Sequence, residues 1–305
     1  MSFSKETKKE MCAAQVSGQE ELRALVYGMA LFSKVFKPDS ISLTTECHAA
    51  AQLYSQMVSA FAGVIVQTNV TLTRKGSDGR IFNISIPDSG DCEKVFELLG
   101  HSADAPNLRI NRSNIDEESS LPLFLRGAFL VCGNVTDPEK DYHLEFAVPH
   151  MRLAGDLCRI ISETGLVRNE PKAVRRKGSY VVYIKESDVI ADLLTYMGAQ
   201  MSALEIMQRM IYRSIRNKVN RQINSETANS NKTAAAAAKQ IAAIEKIEKL
   251  KGLNYLSEDL QELARLRLEN PEYNLRELGE ALNSPISRSG VNHRLMRIIE
   301  IAQQL

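Results

Sequence analysis

One order of sequence patterns occurs twice in the first two-thirds of the chain, and a chain that repeats itself must fold into like units. A helical pattern at 21–33 (ELRALVYGMALFS) runs into the turn signal Lys37-Pro38-Asp39 and the strand pattern ISLTTE. A second helix is predicted at 48–61, where Ala50, Leu53, Tyr54, Met57, Val58 and Phe61 recur at helical spacing. Strand patterns GVIVQTNVTLT and IFNISI flank the Gly/Asp-rich KGSDGR, and 91–99 closes the unit as a helix. After the polar stretch 111–120 the order returns. A helix at 121–131, the turn DPEKD, the strand YHLEFAV and a helix at 150–164 are followed by GLVRNEPKAV and SYVVYIK around RRKG, then a helix at 187–197. Two αββαββα units of roughly 100 residues, each with a sheet that must bury one face on helices, make an α+β fold.

A length of 305 residues exceeds what one small core organises. The 44% hydrophobic and 25% charged composition is that of an ordinary soluble protein. No segment reaches the roughly 18 consecutive apolar residues of a membrane span, and MSFSKETKKEM is not backed by an apolar run, so no secretory signal and no membrane partner are expected. The expected compartment is the cytoplasm. Cys12, Cys47, Cys92, Cys132 and Cys158 are odd in number, scattered and without a Cys-x-x-Cys pair, which argues against disulfides and zinc. Buried free thiols and no cofactor are the expectation. A net charge of +1 means that any nucleic-acid surface must come from local segregation of charge.

Such segregation begins near Ala203, where strand signals vanish and the pattern becomes helical to the end. Residues 206–250 are rich in Arg and Lys and poor in acids, and the Ala234–Ala238 run followed by IAAIEKIEKL is strongly helix-forming. Arg213, Arg216, Asn217, Asn220 and Asn224 share one helical face, beside Arg221, with Ile211, Ile215 and Val219 roughly opposite. Arg and Asn suit phosphate and base-edge contacts. The same residues also fit a solvated helix face, and SETANSNKT is dense enough in turn formers to cap turns instead.

The tail has the grammar of a helix-turn-helix. Ser257-Glu258-Asp259 opens a helix with Leu260, Leu263, Ala264 and Leu268 on one face, and Asn270-Pro271 ends it. Asn274 with Glu277 three residues on is a capping-box pattern for a second helix, broken by Asn283-Ser284-Pro285. Ser287 caps a third, whose Val291, Leu295 and Ile298 share the core face. Arg288, Ser289, Asn292, His293, Arg294 and Arg297 remain for solvent or DNA, and Arg and Asn can read guanine and adenine edges.

Several long motifs carry a resemblance. RNKVNRQINSETANSNKTAAAAAKQIAAIEKIE, ARLRLENPEYNLRELGEAL, PISRSGVNHRLMRI, LRGAFLVCGNVTDPEKDYHLEF and the opening MSFSKETKKE closely resemble the bacterial WhiA family over nearly the whole chain. The resemblance implies a DNA-binding regulator, acting on double-stranded DNA at the nucleoid. Its N-terminal part would be similar to a two-repeat LAGLIDADG homing endonuclease and its C-terminal helix-turn-helix to that of sigma factors. Members are linked to sporulation in some bacteria, and to cell division and chromosome segregation more widely.

In active LAGLIDADG nucleases each signature helix ends with an acidic residue that holds a divalent metal. Aligning ELRALVYGMALF puts Met29 there, and LRGAFLVCGN puts Cys132. Neither side chain is a carboxylate, and both are soft ligands unsuited to Mg²⁺, so the catalytic positions are expected to be lost and the chain not to be an enzyme. His143 and Glu145 share a strand face, and Arg175-Arg176-Lys177-Gly178 could touch phosphate, yet an ordinary strand pair and a solvated hairpin tip explain them equally.

The organisation expected is a first LAGLIDADG-like repeat at 1–115, a second at 116–203, a basic helical segment at 204–253 and a helix-turn-helix domain at 254–305. The function expected is sequence-specific regulation of transcription. A surviving metal-dependent nuclease is the alternative, as is an N-terminal lobe that binds a ligand or a protein partner.

Overall fold

A computed structural model of the chain describes residues 2–72, 79–104 and 107–305, so most of the turn expected at 75–80 lies outside the described residues. The chain divides into two compact units, Met1–Arg213 and Ser214–Leu305.

The first unit opens with a helix, α1 (Phe3–Ala13), that the sequence reading did not place. Phe3, Thr7 and Met11 recur at four-residue spacing and are buried, the one available signal in a segment dominated by charge. Then follow α2 (Gln19–Leu31), β1 (Val35–Lys37), β2 (Ser40–Thr45), α3 (His48–Ala62), β3 (Gln67–Leu72), β4 (Arg80–Ser85) and α4 (Ser89–Leu98). The second copy is α5 (Ser120–Cys132), β5 (Gly133–Val135), β6 (Leu144–Val148), α6 (Met151–Glu163), β7 (Lys172–Arg176), β8 (Ser179–Ile184) and α7 (Ser187–Tyr196). Each copy forms an antiparallel four-stranded sheet, ordered β1-β2-β4-β3 and β5-β6-β8-β7. The second copy matches the first strand for strand; the three-residue β1 and β5, which have no strand pattern of their own in the sequence, open the two sheets.

β3 and β7 start well after their sequence patterns do. β3 starts late because α3 runs to Ala62 and ends at Gly63, whose φ of 67° suits a left-handed cap. β7 starts at Lys172, immediately after Pro171, which has no N–H for the ladder.

α2 and α5 form the centre. Ala24–Leu31 and Leu123–Leu130 are buried without interruption, the mark of helices enclosed on all sides rather than amphipathic ones. They cross so closely that Gly28 meets the backbone of Phe124 and Ala128 while Gly127 meets that of Leu25 and Met29. Within α5 the buried Arg126 donates from Nε to the Met197 carbonyl at 2.7 Å, placing a cation at the C-terminus of α7. The polar stretch between the copies is pinned rather than loose. Arg109 grips Asp156 of α6 through two bonds of 2.6 and 2.7 Å, and Tyr27 Oη accepts from the Asn111 N–H at 2.6 Å.

In α8 (Gln200–Lys251), SETANSNKT is helical throughout, so the turn-capping alternative is not taken. Thr233 Oγ1 donates back to the Asn229 carbonyl and Gln222 to Glu226, satisfying polar groups along the helix itself. The second unit is completed by α9 (Glu258–Glu269), α10 (Leu275–Ala281) and α11 (Arg288–Gln304). Its core is separate, built from Ile244 and Ile247 of α8 with Leu260, Leu263, Leu278, Val291, Leu295 and Ile298. Among the described residues no helix is long and apolar enough to cross a membrane.

Candidate nucleic-acid interface

The helix-turn-helix is positioned by local bonds that its sequence spells out. Asn274 Oδ1 accepts the N–H groups of Arg276 and Glu277 at 2.9 and 3.1 Å, and Glu277 accepts the Asn274 N–H at 2.7 Å, a complete capping box. Ser287 Oγ accepts the Gly290 N–H at 3.2 Å and starts α11. The turn between α10 and α11 closes on Gly279, whose carbonyl accepts the Ile286 N–H; a Cβ there would stand 2.4 Å from the Ile286 carbonyl oxygen.

With Val291, Leu295 and Ile298 buried beneath it, α11 turns Arg288, Ser289, Asn292 and His293 to solvent. No hydrogen bond or ion pair engages those four side chains among the described residues, whereas the two later arginines are engaged. Arg294 meets Asp259 of α9 at 3.4 Å, and Arg297 meets Glu300 at 3.2 Å. The Ser257 hydroxyl, and then Arg294, hold the Asp259 carboxyl below its usual range. Arg294 therefore braces α9 against α11.

The basic segment also separates. Arg213 belongs to the first unit, where its Nη2 donates to the Glu139 carbonyl at 2.8 Å and its guanidinium sits 4.7 Å from the Tyr142 ring centroid. Arg209 pairs with the Glu139 carboxylate. Arg216, Asn217, Asn220, Arg221 and Asn224 lie in the second unit with exposed side chains, Arg221 bonding back to the Asn217 carbonyl at 3.2 Å. Ile215 and Val219 remain exposed as well.

Residues the sequence reading missed surround the start of α11. The face of α9 is completed by Arg267, 2% exposed, with Leu268 only partly buried. A charged residue at core spacing after Leu260, Leu263 and Ala264 was the available signal. Arg267, Lys232, Gln240, Arg276, Arg288 and Asn292 line one cleft of about 520 Å³.

The positions aligned with the acids of the nuclease signature change register. The reciprocal contacts of Gly28 and Gly127 pair Met29 with Ala128, and hence Ser33 with Cys132. Met29 is wholly buried, and by the glycine contacts the first-repeat counterpart of Cys132 is Ser33. Ser33 Oγ donates to the Val35 carbonyl at 3.0 Å. Burial pushes the Cys132 thiol up to about 12, and the field of Lys8 acts against that rise. Burial also lowers the Lys8 amino group, which lies among Cys132, Cys47 and Cys12. His143 Nε2 meets Glu145 at 3.2 Å with Arg176 3.9 Å from the same carboxylate, and no group of three or more metal-type ligands assembles among the described residues. The five cysteines are free; Cys47, Cys92 and Cys158 are buried, and Cys12 and Cys132 partly so.

Two family models match the chain: the WhiA LAGLIDADG-like domain over residues 121–216 and the WhiA C-terminal HTH domain over residues 219–302. A protein of Clostridium perfringens named probable cell division protein WhiA is 36% identical over 316 aligned residues, covering 100% of this chain and 98% of its own. A Clostridium botulinum protein of the same name is 37% identical, covering 100% and 99%. The crystal structure of full-length DUF199/WhiA from Thermotoga maritima superposes with a TM-score of 0.60 at 25% identity, covering 100% of this chain and 99% of that one.

Proposed function

The chain belongs to the WhiA family, and we propose that it is a sequence-specific DNA-binding regulator of transcription that serves cell division and does not cut DNA. The observation that carries this reading is the opening of α11. Arg288, Ser289, Asn292 and His293 stand exposed on a helix whose opposite side is the domain core, the position from which a second helix of such a motif enters the major groove. In this reading all four face the DNA, with Ser289, Asn292 and His293 toward base edges and Arg288, at the first turn, beside the backbone; Arg216 and Arg221 contribute sequence-independent charge, and Arg294 and Arg297 support the helix. The cell-division assignment rests on the printed name of the relatives.

Absence of nuclease activity is supported by the chemistry at the ends of α2 and α5. Ser33 and Cys132 hold the matching positions and Lys8 stands near Cys132, so a divalent cation would meet a hydroxyl, a thiol and an amine instead of carboxylates. The first unit then acts as a binding surface for DNA backbone or for a protein partner.

The test is a titration of the full chain against a duplex selected by that chain and against a scrambled one. Asn292→Ala is expected to cost roughly 1–3 kcal/mol on the selected duplex and much less on the scrambled one. Arg216→Ala is expected to weaken both alike and to flatten the salt dependence by about one unit of slope. Equal losses on both duplexes for Asn292→Ala would remove α11 as the reader.

A further inference from the structure

We propose that the cleft at the start of α11 is a site for a phosphate group, with the buried Arg267 guanidinium as its floor and Lys232, Arg276 and Arg288 as its rim. All of these residues belong to the second unit.

Arg267 is the anomaly that points to a ligand. It is 2% exposed, yet no carboxylate pairs with it among the described residues. Its Nη1 donates to the carbonyls of Pro271 at 3.3 Å and Tyr273 at 2.6 Å, which brace the turn between α9 and α10. Its Nε is buried without a partner among the described residues, and Glu272 acts on it only at a distance. A buried cation with only carbonyl dipoles around it is an incomplete arrangement, because desolvation of the charge is returned in full only by an anion. Beside it Gln240, 7% exposed, has a buried amide oxygen that also lacks a partner among the described residues. Exchange of oxygen and nitrogen at that amide would aim a donor into the same cleft.

The rim adds charge of one sign. Lys232 and Arg288 are exposed and form no ion pair among the described residues, while Arg276 reaches Glu280 at 2.8 Å across the surface. The N-terminus of the 17-residue α11, capped at Ser287, supplies the positive end of a helix dipole. Guanidinium groups with a fixed fork of donors match phosphate geometry better than point charges do. If α11 reads DNA as proposed above, one backbone phosphate seated here would fix the depth and register of the helix, with Asn292 on the same wall facing the bases. The same chemistry admits the phosphate of a free phosphorylated compound, which would then compete with DNA.

Three variants of the full chain decide the matter. Gln240→Glu places a carboxylate in the cleft with Arg267, Lys232→Ala removes one rim charge, and Gln303→Glu, at the far end of α11, is the charge-matched control. The probes are inorganic pyrophosphate, read by thermal melting, and selected and scrambled duplexes, read by anisotropy at several salt concentrations. Pyrophosphate is expected to raise the melting temperature of the unmodified chain saturably and to lose that effect in Gln240→Glu. Gln240→Glu is expected to weaken DNA binding at least about tenfold more than Gln303→Glu, and Lys232→Ala to lower the salt slope by about one unit on both duplexes. Loss on DNA identifies the backbone as the source of the phosphate. A pyrophosphate response with DNA affinity unchanged identifies a free compound instead. Should the chain bind no duplex at all, the DNA reading fails while the pyrophosphate measurement still decides the site. If pyrophosphate gives no response that Gln240→Glu removes, and neither variant differs from the control on DNA, the site is overturned and Arg267 is a loop brace alone. Lys232 is exposed, so its variant keeps the test open if Gln240→Glu fails to fold.

Discussion

Gly28 and Gly127 face each other where α2 crosses α5, each against the other helix's backbone. A Cβ on Gly28 would stand 2.2 Å from the Phe124 carbonyl oxygen, and one on Gly127 would stand 2.5 Å from that of Leu25. Backbone cannot give way as a flexible side chain can, so either glycine-to-alanine change forces the helices apart through a close-packed core. Gly127→Ala is expected to destabilise the first unit by about 3 kcal/mol, read as a lowered urea midpoint. Gly155→Ala on α6, where the added methyl meets open space, is the matched control. Equal midpoints for the two variants would show that the helices are not in this close register.

Asp156 should make stability depend on acid. Burial would raise its pKa, but the two Arg109 bonds and the Ile110 N–H outweigh that and hold the carboxyl below its usual range. A depressed folded-state value means that the contribution is complete above the unfolded value of about 3.9 and is lost as pH falls through the folded one. The melting-temperature gap between the unmodified chain and Asp156→Asn should therefore be widest near neutrality and shrink below about pH 4. A gap constant from neutral to acidic pH would rule out the ion pair as its source.

Arg213 and Arg216 lie three residues apart on α8 and should behave differently. Arg213 is held by the Glu139 carbonyl and the Tyr142 ring, whereas Arg216 is exposed. Arg213→Ala is expected to increase amide exchange in the turn around Glu139 and to leave the salt slope of DNA binding unchanged. A slope reduced as much as in Arg216→Ala would assign Arg213 to phosphate instead.

Incubation with supercoiled DNA in Mg²⁺ or Mn²⁺ should leave the plasmid intact, because Ser33 and Cys132 offer no carboxylate to a hard cation. Metal-dependent nicking that persists through repurification and vanishes when a residue of this chain is changed would contradict that expectation.

The repeat apart from the three-residue β1 and β5, the capping box at Asn274 and Glu277 and the buried stripe of Val291, Leu295 and Ile298 were legible in the sequence. Each rests on periodicity or on a bond between residues a few positions apart, which local order carries. α1 was masked by its lysines and glutamates, although Phe3, Thr7 and Met11 kept helical spacing. Tertiary structure decided the register of the positions aligned with the nuclease acids, because Ser33 becomes the counterpart of Cys132 when Gly28 and Gly127 meet across two helices. It decided which arginines are free for a ligand as well. Arg213 is occupied by Glu139 and Tyr142, far away in sequence, and Arg294 by Asp259, while Arg267 lies inside the fold with no carboxylate paired to it among the described residues. Composition records that a charge is present; the water it loses and the partner it gains depend on which distant segments the fold brings to it.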